Sequence, residues 1–212
     1  ADYNTALGYN TLYSNTTGHS NVAVGNNALY ANTTASYNIA IGRIALDANT
    51  TGSSNVAIGY DALGANTTGN YNHAVGLQAL MSNTTGQKND ALGYGALTAN
   101  ITGDYNVAVG FSALGANTAS DSITAIGYEA LVACTGAQNT ALGRNAGDAL
   151  TTGSDNIFLG YGTDASAVDA TNQIVIGSGV TGTANDQVSI GKASNIVSND
   201  FGTDATWTRS SD

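Results

Sequence analysis

The chain has 212 residues, including 27 glycines and no proline, and only 9% are charged, so few side chains can fill a thick globular core. Its net charge is −10, and its five Lys and Arg residues are scattered rather than clustered. Nucleic-acid binding is therefore disfavoured, because contacts to phosphates need clustered Lys and Arg side chains. No apolar run is long enough to insert into a membrane, and the single Cys134 rules out an internal disulfide framework.

A 17-residue repeat organises the chain from its beginning. One glycine recurs at this spacing from Gly8 to Gly127. Before it stands an apolar triplet, such as Val56, Ala57 and Ile58, in which large and small side chains alternate. A period of two indicates a β-strand, and a unit of this length is too short for a two-helix repeat. The sequence therefore predicts an all-β fold, a parallel β-roll or β-solenoid of about twelve coils. Beyond Gly127 two of the four further steps are shorter, and the repeat glycines are Gly143, Gly160, Gly177 and Gly191.

An Ala-Leu pair follows each triplet, as at Ala62 and Leu63, and predicts a second short strand with an inward leucine. Asn-Thr-Thr-Gly comes next, as at residues 66–69, and these residue types suit turns. Two strands and two turns per coil predict a narrow roll. Stacked at the usual strand spacing of about 4.8 Å, twelve coils would span roughly 55 Å.

An asparagine precedes nearly every triplet at the same repeat position. We expect these side chains to stack as a ladder in which amides bond each other along the axis. The ladder comprises Asn4, Asn21, Asn38, Asn55, Asn72, Asn89, Asn106, Asn139 and Asn156.

The triplets also predict an interface. If the large residues point into the roll, the central alanines lie outside as a strip of small residues. Three larger buried side chains per coil, at roughly 1.5–3 kcal/mol each, leave a single roll marginal against its backbone entropy. We therefore expect the strip to be the contact of a homotrimer, unless alanine merely fills a tight coil. The predicted seam comprises Ala23, Ala40, Ala57, Ala74, Ala91, Ala108 and Ala125.

The repeat loosens toward the C-terminus, where Phe158, Val175 and Ser189 occupy the alanine position. We divide the chain into regular repeats at 1–143, degenerate coils at 144–192 and a non-repeat tail at 193–212. The degenerate coils are typical of the capping region that closes a solenoid.

Catalytic and metal-binding chemistry have little support in the residue pattern. Glycoside hydrolysis needs two acids about 5–10 Å apart, whereas the acids here are mostly single Asp residues in variable turn positions. We expect no repeat position to carry an acid in consecutive coils, and therefore no acidic pair. His19 and His73 occupy different repeat positions, and Cys134 replaces a turn asparagine. We expect no enzyme activity, no metal and no cofactor.

Aromatic residues follow the repeat glycine in a row. Exposed aromatic rows can stack on sugar rings or bind a receptor protein, and they can equally cover turns or pack between copies. A second row, of Tyr3, Tyr37, Tyr71 and Tyr105, precedes the asparagine in every second coil. The candidate binding residues of the first row are Tyr9, Tyr60, Tyr94, Phe111, Tyr128 and Tyr161.

The unit Asn-Val-Ala-Ile-Gly at residues 55–59 resembles the head repeat of trimeric autotransporter adhesins. That resemblance extends over nearly all the coils and implies trimers of left-handed parallel β-rolls. Most coils here have 17 residues, which is longer than the repeat of those adhesins. Only the last step, from Gly177 to Gly191, matches their shorter period.

The tail at residues 207–212, Trp-Thr-Arg-Ser-Ser-Asp, resembles the junction before the endosialidase-type intramolecular chaperone of phage tail fibres and tailspikes. In that family the chaperone trimerises the fibre and then cuts itself off at a Ser-Asp bond. The resemblance makes Ser211 and Asp212 that bond. A clean cut would leave Ser211 as the last residue, and Asp212 departs from this pattern.

These features predict a structural, host-attachment segment of a trimeric phage tail fibre, extracellular and exposed on the virion. Its expected partners are two further copies, a host cell-surface glycan or protein receptor, and a C-terminal chaperone removed after assembly. The alternatives are the head of a bacterial surface adhesin, a glycan depolymerase and a threonine-rich ice-binding protein.

Overall fold

The computed structural model describes residues 2–201 and the backbone of residues 208–209. These residues form an all-β solenoid built around one continuous sheet. Its first twelve strands pair in parallel in chain order and delimit eleven complete coils, most of them one full repeat long. The predicted parallel solenoid and its repeat length are confirmed, with about eleven coils rather than twelve. The described part of the chain has no helix with the length and hydropathy to cross a bilayer.

The first ten strands have three residues each, because one coil contributes only a triplet to the sheet. Partners lie one repeat apart in most of the roll, so Ala40 pairs with Ala57. The shortest step belongs to the last parallel pair, in which Val175 meets Ser189. The strands are β1 Thr5–Leu7, β2 Val22–Val24, β3 Ile39–Ile41, β4 Val56–Ile58, β5 His73–Val75, β6 Asp90–Leu92, β7 Val107–Val109, β8 Thr124–Ile126, β9 Thr140–Leu142, β10 Ile157–Leu159, β11 Ile174–Ser178, β12 Gln187–Lys192, β13 Asn195–Asp200 and β14 Thr208–Arg209.

The predicted second strand of each coil is wrong. The Ala-Leu segment is a turn, because its leucine has left-handed backbone geometry, with φ of 51° at Leu63. Coil-to-coil bonding continues there nevertheless, since the Leu63 N–H donates to the carbonyl of Ala79 at 3.1 Å. Full burial of the leucine side chain, at roughly 1.5–3 kcal/mol, offsets the cost of its strained backbone.

The triplets point the opposite way from the prediction. Their alanines face the interior, and the large residues on either side, such as Ile39 and Ile41, face outward. The interior is too thin for both a leucine from the turn and a second large side chain. Phe158 shows this limit, because it occupies an alanine position only where Gly147 replaces the leucine of the coil before it.

The alanine seam is consequently wrong as an intermolecular contact. Its side chains are at most 2% exposed and line the core of the roll, where no second chain can reach them. The alternative prediction, that these alanines fill a sterically tight coil, agrees with their burial. The residues concerned are Ala23, Ala40, Ala57, Ala74, Ala91, Ala108 and Ala125.

Two asparagine ladders hold the turns together. In the predicted ladder, the side chain mainly bonds backbone: Asn21 Oδ1 accepts the Asn38 N–H at 2.9 Å, and Asn38 Nδ2 donates to the Gly52 carbonyl. The second ladder, which we call the turn ladder, is formed by the first residue of each Asn-Thr-Thr-Gly. Here amide bonds amide regularly, as where Asn66 Nδ2 donates to Asn49 Oδ1 at 2.9 Å. Both ladders are almost entirely buried, so each unmade bond would be costly.

The chain reverses its direction in the sheet after Lys192. Strand β13 runs antiparallel to β12 and covers the edge that would otherwise be free, and β14 then pairs with β13. Covered edges resist unwanted strand addition. The change falls at the predicted start of the tail, and the Ser211-Asp212 junction lies outside the residues that the structure describes.

Candidate interaction surface

Outward side chains of the parallel strands form two columns along one face of the solenoid. The first outer column is formed by the first residue of each triplet, from Thr5 to Val188, and the second outer column by the third residue. Every member of the second is aliphatic and either exposed or half-buried, as the inward alanines require. Its members, after Leu7 at the N-terminal end, are Val24, Ile41, Ile58, Val75, Leu92, Val109, Ile126, Leu142, Leu159, Ile176 and Ile190.

The two columns together make a long apolar strip. Twelve strands at about 4.8 Å cover about 53 Å, and two columns are about 10 Å wide, which gives an area on the order of 500 Å². An area of this size matches the largest apolar patch of a typical monomer, about 300–600 Å², and such patches are often functional. The strip is therefore a candidate contact surface.

One pair of ionisable side chains interrupts the strip. His73 and Asp90 occupy the first outer column in neighbouring strands, and Nδ1 of His73 lies 2.6 Å from Oδ1 of Asp90. Both side chains are more than half exposed. Over strands β1 to β12 the first column is otherwise valine, isoleucine or threonine, so this pair is its only ionisable feature.

The predicted aromatic row is exposed, and part of it is a stack. Tyr94, Phe111 and Tyr128 lie nearly parallel, with neighbouring ring centroids 5.2 Å apart. The Arg144 guanidinium extends the stack, 5.8 Å from the Tyr128 ring and 5.6 Å from the Tyr161 ring. We call the residues from Tyr94 to Tyr161 in this row the aromatic ladder.

Stacking changes what the row can bind. The ring faces of Phe111 lie against its two neighbours, so a sugar has no free face there to stack on. Ring edges and phenol hydroxyls point to the surroundings instead. Tyr60 stands apart with Arg43 at 5.4 Å, and Tyr9 precedes two coils that have Asn26 and Arg43 at this position.

Comparison with known proteins gave no match: no family model, no curated protein and no solved structure is significantly similar to this chain.

The alternate-coil tyrosines are more isolated than the aromatic ladder. Tyr3, Tyr37, Tyr71 and Tyr105 are all more than half exposed. Lys88 covers one face of Tyr105 at 4.7 Å, and the hydrogen bond from Lys88 Nζ to the Tyr105 hydroxyl raises the pKa of Lys88. This row therefore exposes single rings with polar neighbours.

The expectation that acids would not meet is wrong in one recess. Asp47 and Asp61 line an open cavity of about 510 Å³ together with Gly64, Met81 and Ile101. Burial raises the pKa of Asp47, and the charge of Asp61 raises it further. Residues 14 apart in the sequence can be neighbours across adjacent coils. The 17-residue repeat spacing alone does not reveal such neighbours. No aromatic residue lines the recess, so it offers no stacking platform for a sugar.

Another acidic pair serves the backbone. Asp104 and Asp121 occupy the same position in consecutive coils, so the prediction that no position does so is wrong. Asp121 Oδ1 accepts the Asp104 N–H at 2.7 Å. These carboxylates act as turn acceptors. Their position resembles that of Ser36 and Ser53, whose hydroxyls accept the same type of bond.

Residues 2–201 contain no group of three or more His, Cys, Asp or Glu side chains placed to hold a metal ion. His19 packs edge-on against Tyr37. Cys134 is buried at the turn-ladder position, where burial raises the pKa of its thiol and Asn139 Nδ2 lies 3.4 Å from Sγ. The thiol takes the ladder position but bonds within its own coil, where Sγ also donates to the Gly136 carbonyl.

The outward orientation of the two outer columns was not predicted from the sequence. The signal was present in the chain. The third residue of the triplet is aliphatic in every coil, whereas the first includes threonine, histidine and aspartate.

Proposed function

We propose that this chain is a non-catalytic segment of an extracellular fibre and that the outer columns are the seam of a homotrimer of left-handed coils. The observation that carries the proposal is the second outer column, which is aliphatic in all twelve parallel strands although it faces outward. Covering about 500 Å² of apolar surface contributes on the order of 12 kcal/mol per chain before the cost of association.

Further copies of the same chain suit this strip best. A partner must present side chains at the same spacing of about 4.8 Å over the same length, and a parallel copy does so automatically. The chain carries a net charge of −10, yet the only ionisable side chains of the strip over strands β1 to β12 are His73 and Asp90, which bond each other. Repulsion between copies is therefore low at this face.

Three copies are favoured over two by the resemblance of the repeat to trimeric adhesins. Cyclic symmetry about an axis parallel to the roll keeps all chains in one direction, as a fibre requires. Three strips facing one axis would enclose a single apolar interior. The tail resemblance at residues 207–212 favours a phage tail fibre, matured by loss of a C-terminal chaperone, over a bacterial adhesin.

Replacing Ile58 with lysine is expected to convert the trimer to monomers, because it places charges inside the seam. The matched control is Ile101→Lys. Ile101 is exposed to a similar extent but lies in a turn outside the columns, so its replacement should leave the trimer intact.

Light scattering of the purified proteins measures this directly. The unsubstituted chain and Ile101→Lys should have three times the mass of the 21.2 kDa chain. A monomeric mass for the unsubstituted chain would contradict the trimer, and an unchanged trimer in Ile58→Lys would place the seam elsewhere.

The aromatic ladder is the candidate surface for host attachment. Its rings are exposed, rigidly stacked and bordered by Arg144, a combination that suits the contact of a protein receptor. Stacking leaves ring edges rather than faces available, which favours such a receptor over a glycan bound by sugar stacking.

Replacing Tyr94, Phe111 and Tyr128 together with alanine is expected to weaken attachment to host cells at least tenfold, the loss typical of removing an interface hot spot. Tyr13→Ala with Tyr30→Ala is the control, because these rings form a comparable stacked pair elsewhere on the surface. Binding to immobilised host-surface proteins and polysaccharides would be measured in parallel. Equal losses for both variants would contradict a specific role of the ladder.

A further inference from the structure

The repeat creates a difficulty for any assembly of parallel copies. Successive coils present almost the same side chains, with Val24, Ile41 and Ile58 following one another in the second outer column. A copy shifted by one coil, about 4.8 Å, would meet a nearly identical apolar surface. Shape and hydrophobicity therefore define the axial register only weakly, as they do in other repetitive strand pairings.

The His73–Asp90 pair breaks this repetition. It is the only ionisable feature of the two columns over strands β1 to β12, and it lies in strands β5 and β6, close to the middle of the strip. Above and below it stand Val56 and Val107. Asp90 contacts the Nδ1 face of the imidazole, which leaves Nε2 and the second carboxylate oxygen for other partners.

We propose that His73 and Asp90 fix the axial register of the copies in the assembled fibre. The inference rests on the proposed homotrimer. In register, three His-Asp pairs lie at one level and complete each other's hydrogen bonds around the axis. The pair acts as a polar positioning element within an apolar seam, in the way a single buried polar residue selects the register of a coiled coil.

A one-coil shift between two copies keeps only one of these contacts. The carboxylate of Asp90 in one copy would then lie level with Val107 of the other, and His73 of that other copy would lie level with Val56, so two polar side chains would face valine. Unpaired buried charges are strongly unfavourable, whereas aliphatic contacts are almost unchanged by the shift. Thr5, Thr124 and Thr140 also interrupt the first column, but their hydroxyls carry no charge and penalise a shift less.

The test reads register by disulfide formation. Cys134 is first replaced by asparagine, the residue found at this position in most coils, so that introduced cysteines are the only thiols. Val24→Cys, Ile41→Cys and Ile58→Cys chains, distinguishable by tags, are then co-assembled and oxidised, and mass spectrometry identifies the linked pairs. Residues 24 and 58 are two coils, about 9.6 Å, apart, beyond disulfide reach in register.

With His73 and Asp90 present, links between identical positions should dominate and the 24–58 link should be absent. In the His73→Val, Asp90→Val variant, links between different positions should become as frequent as those between identical ones. Ile39→Val with Val56→Ile is the control, because it alters the same column and leaves the pair intact; its pattern should not change.

A relocated pair distinguishes register from stability. Val56→His, His73→Asp and Asp90→Val together move the pair by one coil and should restore links between identical positions. An unchanged link pattern in His73→Val, Asp90→Val, with the trimer mass retained, would overturn the register role alone. A monomeric unsubstituted chain that forms no links would overturn both this inference and the proposed trimer.

Discussion

Replacing Gly93 with alanine is expected to lower the free energy of unfolding by about 2–6 kcal/mol, the sum of backbone strain and overpacking. Gly93 has a φ of 140°, and a Cβ there would lie 2.4 Å from the carbonyl oxygen of Gly110 in the next coil. Neither backbone can retreat, because both are held in the sheet on either side. Urea denaturation at fixed protein concentration would measure the effect.

Gly95 provides a matched control two residues away. Its φ of 62° is also positive, but the nearest atom to an added Cβ is 3.8 Å away. The same repeat position holds Asn27 and Ser112 with similar φ values, so Gly95→Asn should change stability by less than about 1 kcal/mol. Equal effects at Gly93 and Gly95 would show that backbone conformation, rather than contact between coils, requires the repeat glycine.

The second large effect is expected at the asparagine ladder. Asn72→Leu should destabilise the fold by about 2–4 kcal/mol, because a buried backbone donor loses its acceptor and a buried amide network is interrupted. Asn72 Oδ1 accepts the N–H of Asn89 at 3.1 Å, and Asn72 Nδ2 donates to the Gly86 carbonyl at 2.8 Å. Asn83 also donates to that carbonyl, so the main loss falls on Asn89.

Asn26→Leu is the control for this substitution, since Asn26 is exposed and lies outside both ladders. Its unfolding midpoint in urea should stay close to that of the unsubstituted chain. A comparable loss in both variants would mean that leucine, rather than the missing acceptor, causes the destabilisation. Ile123 shows how the chain tolerates an apolar residue in the ladder: Asn139 Nδ2 donates to both Gly136 and Gly153.

The repeat architecture was accessible from the sequence because its physical causes are local. Glycine spacing gave the coil length and the strand register, since the repeat glycines of adjacent coils touch through their backbones. Alternation within the triplets gave strands. Turn residues such as those at 66–69 marked where each coil bends.

Which face of the triplet is inside was not accessible from alternation alone. A period of two separates two faces but does not assign them, and the assignment depends on the thickness of the coil. The deciding signal lay in one exchange between neighbouring coils, where Gly147 takes the leucine position and Phe158 the alanine position. This paired exchange indicates that the two positions share one interior volume, so the alanine position points inward.

The candidate surfaces, too, were only partly predictable from the sequence. Exposure of the aromatic row could be predicted from its position after the glycine, whereas ring stacking depends on the rotamers of Tyr94, Phe111 and Tyr128 together. Contacts between residues 14 apart, such as Asp47 with Asp61, depend on the path of the turn. The 17-residue period does not encode that path.

The direction of the hydrogen bonds has a mechanical consequence for a chain that connects two bodies. Bonds between coils run along the axis, so tension applied at the two ends loads them in series and opens the weakest coil first. One 17-residue coil, about 4.8 Å tall when folded, extends to roughly 58 Å when pulled straight. A single chain would therefore lengthen in discrete steps of about 50 Å, and lateral cohesion between neighbouring chains would set the force at which stretching begins.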